Sequence, residues 1–513
     1  MTSGLFLKKN INSRNNAALF IFTAFFALSC SKTPVIEPGT LTMALEAGPA
    51  IIDPLKSTDA AASKIEGLVF NGLVKRNDDL TISPDLAERW EFVGDPLRAV
   101  FHLRGGVRFH DGSAFTSLDV KRAVDFILDA QNGSPRRGSF ADVKSVEAPD
   151  DHTVIFNLNR KTAPFLDSLV FGVPKLGAAN PVGTGPFRLA EYKRDDKITL
   201  ERNAGYFEGS PKLLRLIIKI IPDETVRTLS LESGEAQLIM NPVTPDLLAR
   251  FRGNPGLEVV TSPSSSYSYL GFNMDDPLAG NIAVRRAVAC AIDRDSVMRH
   301  ILKGLAEPAT GPVPPASGFY EGAVEKYEYD PEKAKKILDA AGFPDPDGAG
   351  PVKRFTLRYS TSQNELRRRV AEAFQWQLEK VGIGLDIRSY EWGSFYADIK
   401  KGNFQIFSLT WVGVADPDIL RYMFHSASMP PDGANRGRYK NATLDGLLET
   451  GVTAQGEGRK RAYSEAQKII ARDLPYAPLW RPMNVAVLDR RVRGFRLSAD
   501  EGIESLKNVY VEN

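Results

Sequence analysis

Two close acid pairs, Asp293/Asp295 and Asp416/Asp418, are the residues whose types and spacing come nearest to catalytic chemistry. Paired carboxylates can work as acid and base or hold a cationic group. Asp293 and Asp295 stand where a helical stretch begins, Arg294 to Leu302, and there a carboxylate caps free backbone N–H groups. Asp416 and Asp418 flank Pro417, which suits a turn and a ligand contact equally well. The five histidines, His102, His110, His152, His300 and His425, include no two at ligand spacing on one helix face, so no metal is expected. No G-x-S-x-G elbow, phosphate loop or H-E-x-x-H helix is present, and no cofactor is implied. Cys30 and Cys290 are the only cysteines, too few for a disulfide scaffold. Cys290, inside the apolar run Ala287 to Ile292, is expected to be buried and inert.

The elements that would position such residues alternate between strand and helix. Val154, Phe156 and Leu158 alternate with polar neighbours as a half-buried strand after the Pro149 to Asp151 turn. Leu216 to Ile221 is nearly all apolar, as in a strand covered on both faces. Asp330 caps a helix opened by Pro331, with Ala334, Ile337, Leu338 and Ala341 on one face and Gly342 as its stop. Leu366, Val370, Ala373, Phe374, Leu378 and Val381 make a second face, stopped by Gly382 and followed by the alternating strand Ile383, Leu385, Ile387. Helix, short glycine turn and strand in succession point to an α/β chain. At 513 residues it has room for about three domains. With 43% hydrophobic and 25% charged residues it is an ordinary globular composition, and 65 basic against 63 acidic residues exclude binding to nucleic acid by phosphate neutralisation.

The N-terminus reads as an export signal. Lys8, Lys9 and Arg14 precede an apolar run from Ala17 to Leu28, too short to span a membrane but of signal-peptide length. Ala27-Leu28-Ser29-Cys30 resembles the lipobox of bacterial lipoproteins, although Ala27 stands where that family prefers Leu. The resemblance implies cleavage before Cys30 and a lipid on Cys30; a plain secretory signal is the alternative. Loss of residues 1–29 removes three basic residues and no acid, turning the balance from +2 to −1.

Five segments, in order, resemble the peptide/nickel family of extracellular solute-binding proteins that serve ATP-binding-cassette (ABC) importers. They are Ser83 to Glu91 (SPDLAERWE), Phe101 to Gly112 (FHLRGGVRFHDG) with Thr116, Asp119 and Val120, Pro181 to Phe187 (PVGTGPF), Val284 to Asp293 (VRRAVACAID) and Tyr329 to Leu338 (YDPEKAKKIL) with Ala341 and Gly342. The resemblance runs from about Leu41 to about Phe495. It implies an α/β, two-lobed periplasmic-binding-protein-like fold with mixed sheets, a hinge between lobes and an extra subdomain in the first lobe. Carried over, residues 1–29 are signal peptide and 30–40 a lipidated tether. Residues 41–55, 181–270 and 483–513 form the first-lobe core, 56–180 the extra subdomain and 271–482 the second lobe. The chain should cross between lobes near Tyr269 to Met274 and return near Pro478 to Asn484. Most motif residues are read as structural; Gly183 and Gly185 provide unusual backbone angles or close approach, and Trp90 belongs to the core.

The resemblance also implies a cleft site. Trp392 and Trp411 fall on aromatic positions that contact peptide side chains in the family. The Asp that holds a peptide's ammonium is replaced by Val414, and the Arg positions that hold carboxylates by Ser408 and Ile399. Asp416 could take over the amine contact, and Arg481, beside Trp480, could meet a carboxylate bidentately. An oligosaccharide stacking on Trp392, Trp411 and Trp480 is an equal alternative, and an envelope hydrolase using Asp416 or Asp418 a more distant one. The implied partners are a peptide or other small solute, the permease subunits of an ABC importer and the membrane through the lipid anchor; the protein is expected to be a monomer located in the cell envelope.

Overall fold

Alternation along the strands decides which side chains form each core. The computed structural model describes residues 37–512 apart from 78–79, 95–96, 160–164, 242, 349 and 432. The signal peptide, its cleavage point and Cys30 therefore lie outside the described residues.

The long strand Tyr476–Asp489 organises the main sheet. Its first part pairs with Tyr267–Phe272, and its second with Leu238–Met240 and Leu257–Pro263. On one side follow Ile406–Trp411, then Phe355–Ser362 and Ile383–Tyr390; on the other Thr40–Leu45, Arg215–Ile220, Lys197–Arg202 and Phe187–Lys193. Parallel pairs (Phe355–Ser362 with Ile383–Tyr390 and with Ile406–Trp411; Thr40–Leu45 with Arg215–Ile220 and Leu238–Met240) make this a mixed α/β sheet. The half next to Tyr267–Phe272 has a core on each face. Leu270, Phe272, Leu357 and Ile406 face one core; Tyr267, Tyr269, Phe407 and Leu409 face the other. The half around Thr40–Leu45 is likewise covered on both faces, by Leu41, Met43 and Leu216 on one and Ala44, Ile239 and Val487 on the other.

A separate four-stranded antiparallel sheet runs Ala87–Val93, Arg98–Leu103, Thr153–Leu158, Val143–Asp150. Helix Ser117–Leu128 closes its core, which contains Phe101, Phe156, Phe165 and Val120. Trp90 is half-buried against it, stacked 6.0 Å from Phe101.

Local expectations hold at several points. Val154, Phe156 and Leu158 are the buried residues of their strand. Asp330 accepts from the Lys333 N–H and caps Pro331–Ala340, while Asp293 accepts from Ser296 and caps Arg294–His300. Cys290 is buried, and burial pushes its thiol pKa up. At Gly183 and Gly185 the reason is close approach: a Cβ would lie 2.1 Å from the Val69 carbonyl oxygen and 2.5 Å from that of Leu68.

Two expectations need correction. In Arg215–Ile220 only Leu216, Ile218 and Ile220 are buried, because Lys219 and Ile217 sit on a half-open face where Lys219 meets Glu235. The change of sheet also comes earlier than Tyr269 to Met274. Pro263 still pairs in one half of the sheet and Tyr267 already pairs in the other, so the chain passes between the halves at Ser264 to Ser266, and the long strand passes back at Arg481 to Met483.

Candidate functional site

The ends of three parallel strands set the site. Ser362 and Tyr390 are register partners at the carboxyl ends of their strands, and Trp411 ends the third. In open α/β sheets ligands bind beyond such carboxyl ends. A cavity of about 340 Å³ opens beside this edge. Val243 and Pro245 line it from one half of the sheet; Ser268, Ser408, Thr410, Arg367 and Trp480 line it from the other. The hydroxyls on its wall are paired, Ser268 with Thr410 at 2.9 Å and Tyr359 with Ser408 at 2.6 Å. Arg369, next to the lining residue Val370, pairs with Asp246, next to the lining residue Pro245, at 3.2 Å.

Along the strand ends, aromatic rings and guanidinium groups alternate. Arg367 lies over Trp392 (5.8 Å to the ring centre), and Trp392 stacks on Tyr396 at 5.7 Å and 12°. Arg436 covers Tyr396 at 5.4 Å and Trp411 at 4.6 Å. Its guanidinium also donates to the hydroxyls of Tyr269 and Tyr396 at 3.2 and 3.1 Å. Among the described residues neither Arg367 nor Arg436 has a carboxylate partner. Burial lowers the pKa of Arg367, so desolvation of this cation is not offset by a protein anion.

Trp392 is half exposed, at 50%, on the first turn of Trp392–Lys401. Trp411 is half-buried, touches the edge of Tyr422, and keeps its indole N–H without an acceptor. Asp416 is not free: Arg459 donates to both of its oxygens at 2.7 and 2.9 Å. Asp418 accepts from Tyr463 at 2.6 Å, and burial raises its pKa.

The remaining two residues sit in the wall. Trp480 is 7% exposed, packs 6.3 Å from Phe374, and lines the cavity. Arg481 is 2% exposed and donates to the carbonyls of Ser266, Gly311 and Pro312 at 3.3, 2.7 and 2.8 Å. Those carbonyls satisfy the guanidinium, which corrects its expected place as an open carboxylate clamp. Burial lowers its pKa to about 10, still charged at neutral pH. Val414 is buried beside Tyr267 and Leu409, and its N–H is bonded to the Ser265 carbonyl.

Arg367 and Arg436 were not singled out by the sequence reading. Arg367 and Arg368 sit in the first turn of Glu365–Glu379, with Arg369 directly after, where the helix dipole disfavours cations. Arg368 meets Glu372 and Arg369 meets Asp246, leaving Arg367 as the cation without a carboxylate. That local conflict was a readable signal. Arg436 lies in an irregular loop with no such signal.

The model of bacterial extracellular solute-binding proteins, family 5 (middle region), matches residues 81–430. The chain belongs to this family. Haem-binding protein A of Haemophilus influenzae is 30% identical over 503 residues, covering 90% of each chain. The solved structure of the oligopeptide-binding protein AppA of Bacillus subtilis with a nonapeptide aligns over 93% of this chain and 99% of AppA, with 28% identity and a TM-score of 0.74. The ABC-transporter substrate-binding protein CtaP of Listeria monocytogenes aligns over 93% of this chain and all of its own, with 26% identity and a TM-score of 0.83. This peptide/nickel-type solute-binding protein thus has the expected two-lobed α/β fold.

Proposed function

We propose that this solute-binding protein captures a peptide-like solute bearing a carboxylate in the cleft between its lobes and delivers it to an ABC importer from a lipid anchor on Cys30. The observation that carries the solute class is Arg367, a partly desolvated cation facing the cavity without a carboxylate of its own. Trp392 and Tyr396 beside it give a stacking surface for the solute's side chains. The relatives bind haem and oligopeptides by name, so family membership alone leaves the solute open. Asp416 and Asp418 are held by Arg459 and Tyr463, which supports a structural role for this pair over acid catalysis.

A charge-assisted contact is worth about 1.5–3 kcal/mol, so Arg367→Ala should weaken binding of carboxylate-bearing peptides about 10- to 100-fold. A thermal-shift screen of acidic peptides, their amides and neutral oligosaccharides on both proteins reads this directly. A second reading, an oligosaccharide stacked on the exposed Trp392 face, gains support if the sugars raise the melting temperature and Arg367→Ala changes nothing. For the anchor, labelled palmitate should enter the wild type and not Cys30→Ser; equal labelling contradicts lipidation there.

A further inference from the structure

The binding mode proposed above uses Arg367 and leaves Arg436 without a task. Arg436 is half-buried, and its guanidinium has five N–H donors. The donors that are engaged go to neutral acceptors, the hydroxyls of Tyr269 and Tyr396 at 3.2 and 3.1 Å. Phenol oxygens accept hydrogen bonds but bring no countercharge, so the partly desolvated cation stays uncompensated. Its surroundings do not supply an acid. Glu391 and Asp398, which flank Tyr396 in sequence, accept from the Ser394 N–H and the Asn403 amide. Arg438, two residues further along the loop, does meet a carboxylate, that of Asp275 at 3.8 Å.

The intervening rings fix where Arg436 stands relative to Arg367. The steps from Arg367 to Trp392, from Trp392 to Tyr396 and from Tyr396 to Arg436 are 5.8, 5.7 and 5.4 Å. The two guanidinium groups are therefore at most about 17 Å apart, a span that about five extended residues cover at roughly 3.3–3.6 Å each. Trp392 is exposed, and so are Val412 and Tyr422 next to Trp411, the ring that Arg436 covers at 4.6 Å. Lys400, 5.2 Å from the centre of the Tyr396 ring, adds positive charge between the two arginines.

We propose that Arg436 is a second acid contact of the cleft, which makes the solute class a peptide-like diacid with its two carboxylates within about 17 Å of each other. One carboxylate meets Arg367, the other meets Arg436, and the body between them lies along Trp392 and Tyr396. The inference rests on reading this cleft as the binding site with Arg367 as its first carboxylate contact. A charge-assisted contact at Arg436 should favour a diacid about tenfold over the same solute with one acid made neutral.

Calorimetric titration tests this with alanine-based tetrapeptides carrying one Glu at the first, second or third position, their Gln counterparts, and the C-terminal amides of both sets. At one position or more the wild type should bind the Glu peptide about tenfold more tightly than the Gln peptide. In Arg436→Gln that ratio should fall close to one, an effect that a purely structural arginine would not produce. Arg436→Lys keeps the charge without the paired donors and serves if Arg436→Gln does not fold; there the ratio should drop to about threefold. A wild type indifferent to Glu at every position, or an undiminished ratio in either folded variant, overturns the second contact. Preference for free acids over amides in the wild type reads Arg367 separately, so indifference to Glu alone leaves the first contact standing. Equal binding of acids and amides, or no binding of any of these peptides, overturns both.

Discussion

Val414→Asp is expected to destabilise the protein by about 3–5 kcal/mol and to create no amine site. The family resemblance implies an ammonium-holding Asp at this position, so the substitution looks like a restoration. The geometry argues otherwise. Val414 is 2% exposed among Tyr267, Leu409 and Leu420, and its N–H is tied to the Ser265 carbonyl. The nearby Arg459 is already taken by both oxygens of Asp416. A carboxylate at 414 would be buried without a cation. Urea denaturation should show a lower midpoint with an unchanged slope. Wild-type stability together with new affinity for free-amine peptides would contradict this account.

Arg481→Met should cost about 3 kcal/mol or more of stability and leave the affinity of the folded fraction close to wild type. Methionine keeps the apolar stem but abandons three carbonyl acceptors, from the sheet crossing at Ser266 and the loop at Gly311 and Pro312. Charge-assisted hydrogen bonds contribute about 1.5–3 kcal/mol each, though not additively, and buried carbonyls left without donors add their own penalty. The melting temperature and solute affinity of one preparation separate the two roles. Normal stability with lost binding would return Arg481 to the cleft.

The sequence made the fold legible wherever local chemistry repeats. Asp330 before Pro331, Gly342 after the helix, and the Val154, Phe156, Leu158 alternation each have one economical structure, and the structure adopts it. The ordered motifs around Gly183 and Asp293 were enough to indicate the family. The site was harder. Trp480 and Arg481 are neighbours of attractive chemistry, but consecutive strand residues face opposite ways, so one sequence position could not aim both at a ligand. Trp480 went to the core with Phe374 and Arg481 to the loop carbonyls under Tyr267. Asp416 read as a free acid because its partner, Arg459, is 43 residues away on another helix. Arg367 was readable in principle, from consecutive arginines at the start of a helix, but its neighbours Leu366 and Val370 carry the apolar periodicity of the helix's packed face.

The claim that the cleft is built for a carboxylate-bearing, peptide-like solute is tested most directly by the small molecules the protein carries from its own cells. Wild type and Arg367→Ala would be purified without added ligand and denatured, and the released molecules identified by mass spectrometry. The account predicts peptide-like acids released from the wild type and depleted at least tenfold from Arg367→Ala. Neutral oligosaccharides from the wild type, or the same acids in equal yield from both proteins, would contradict it.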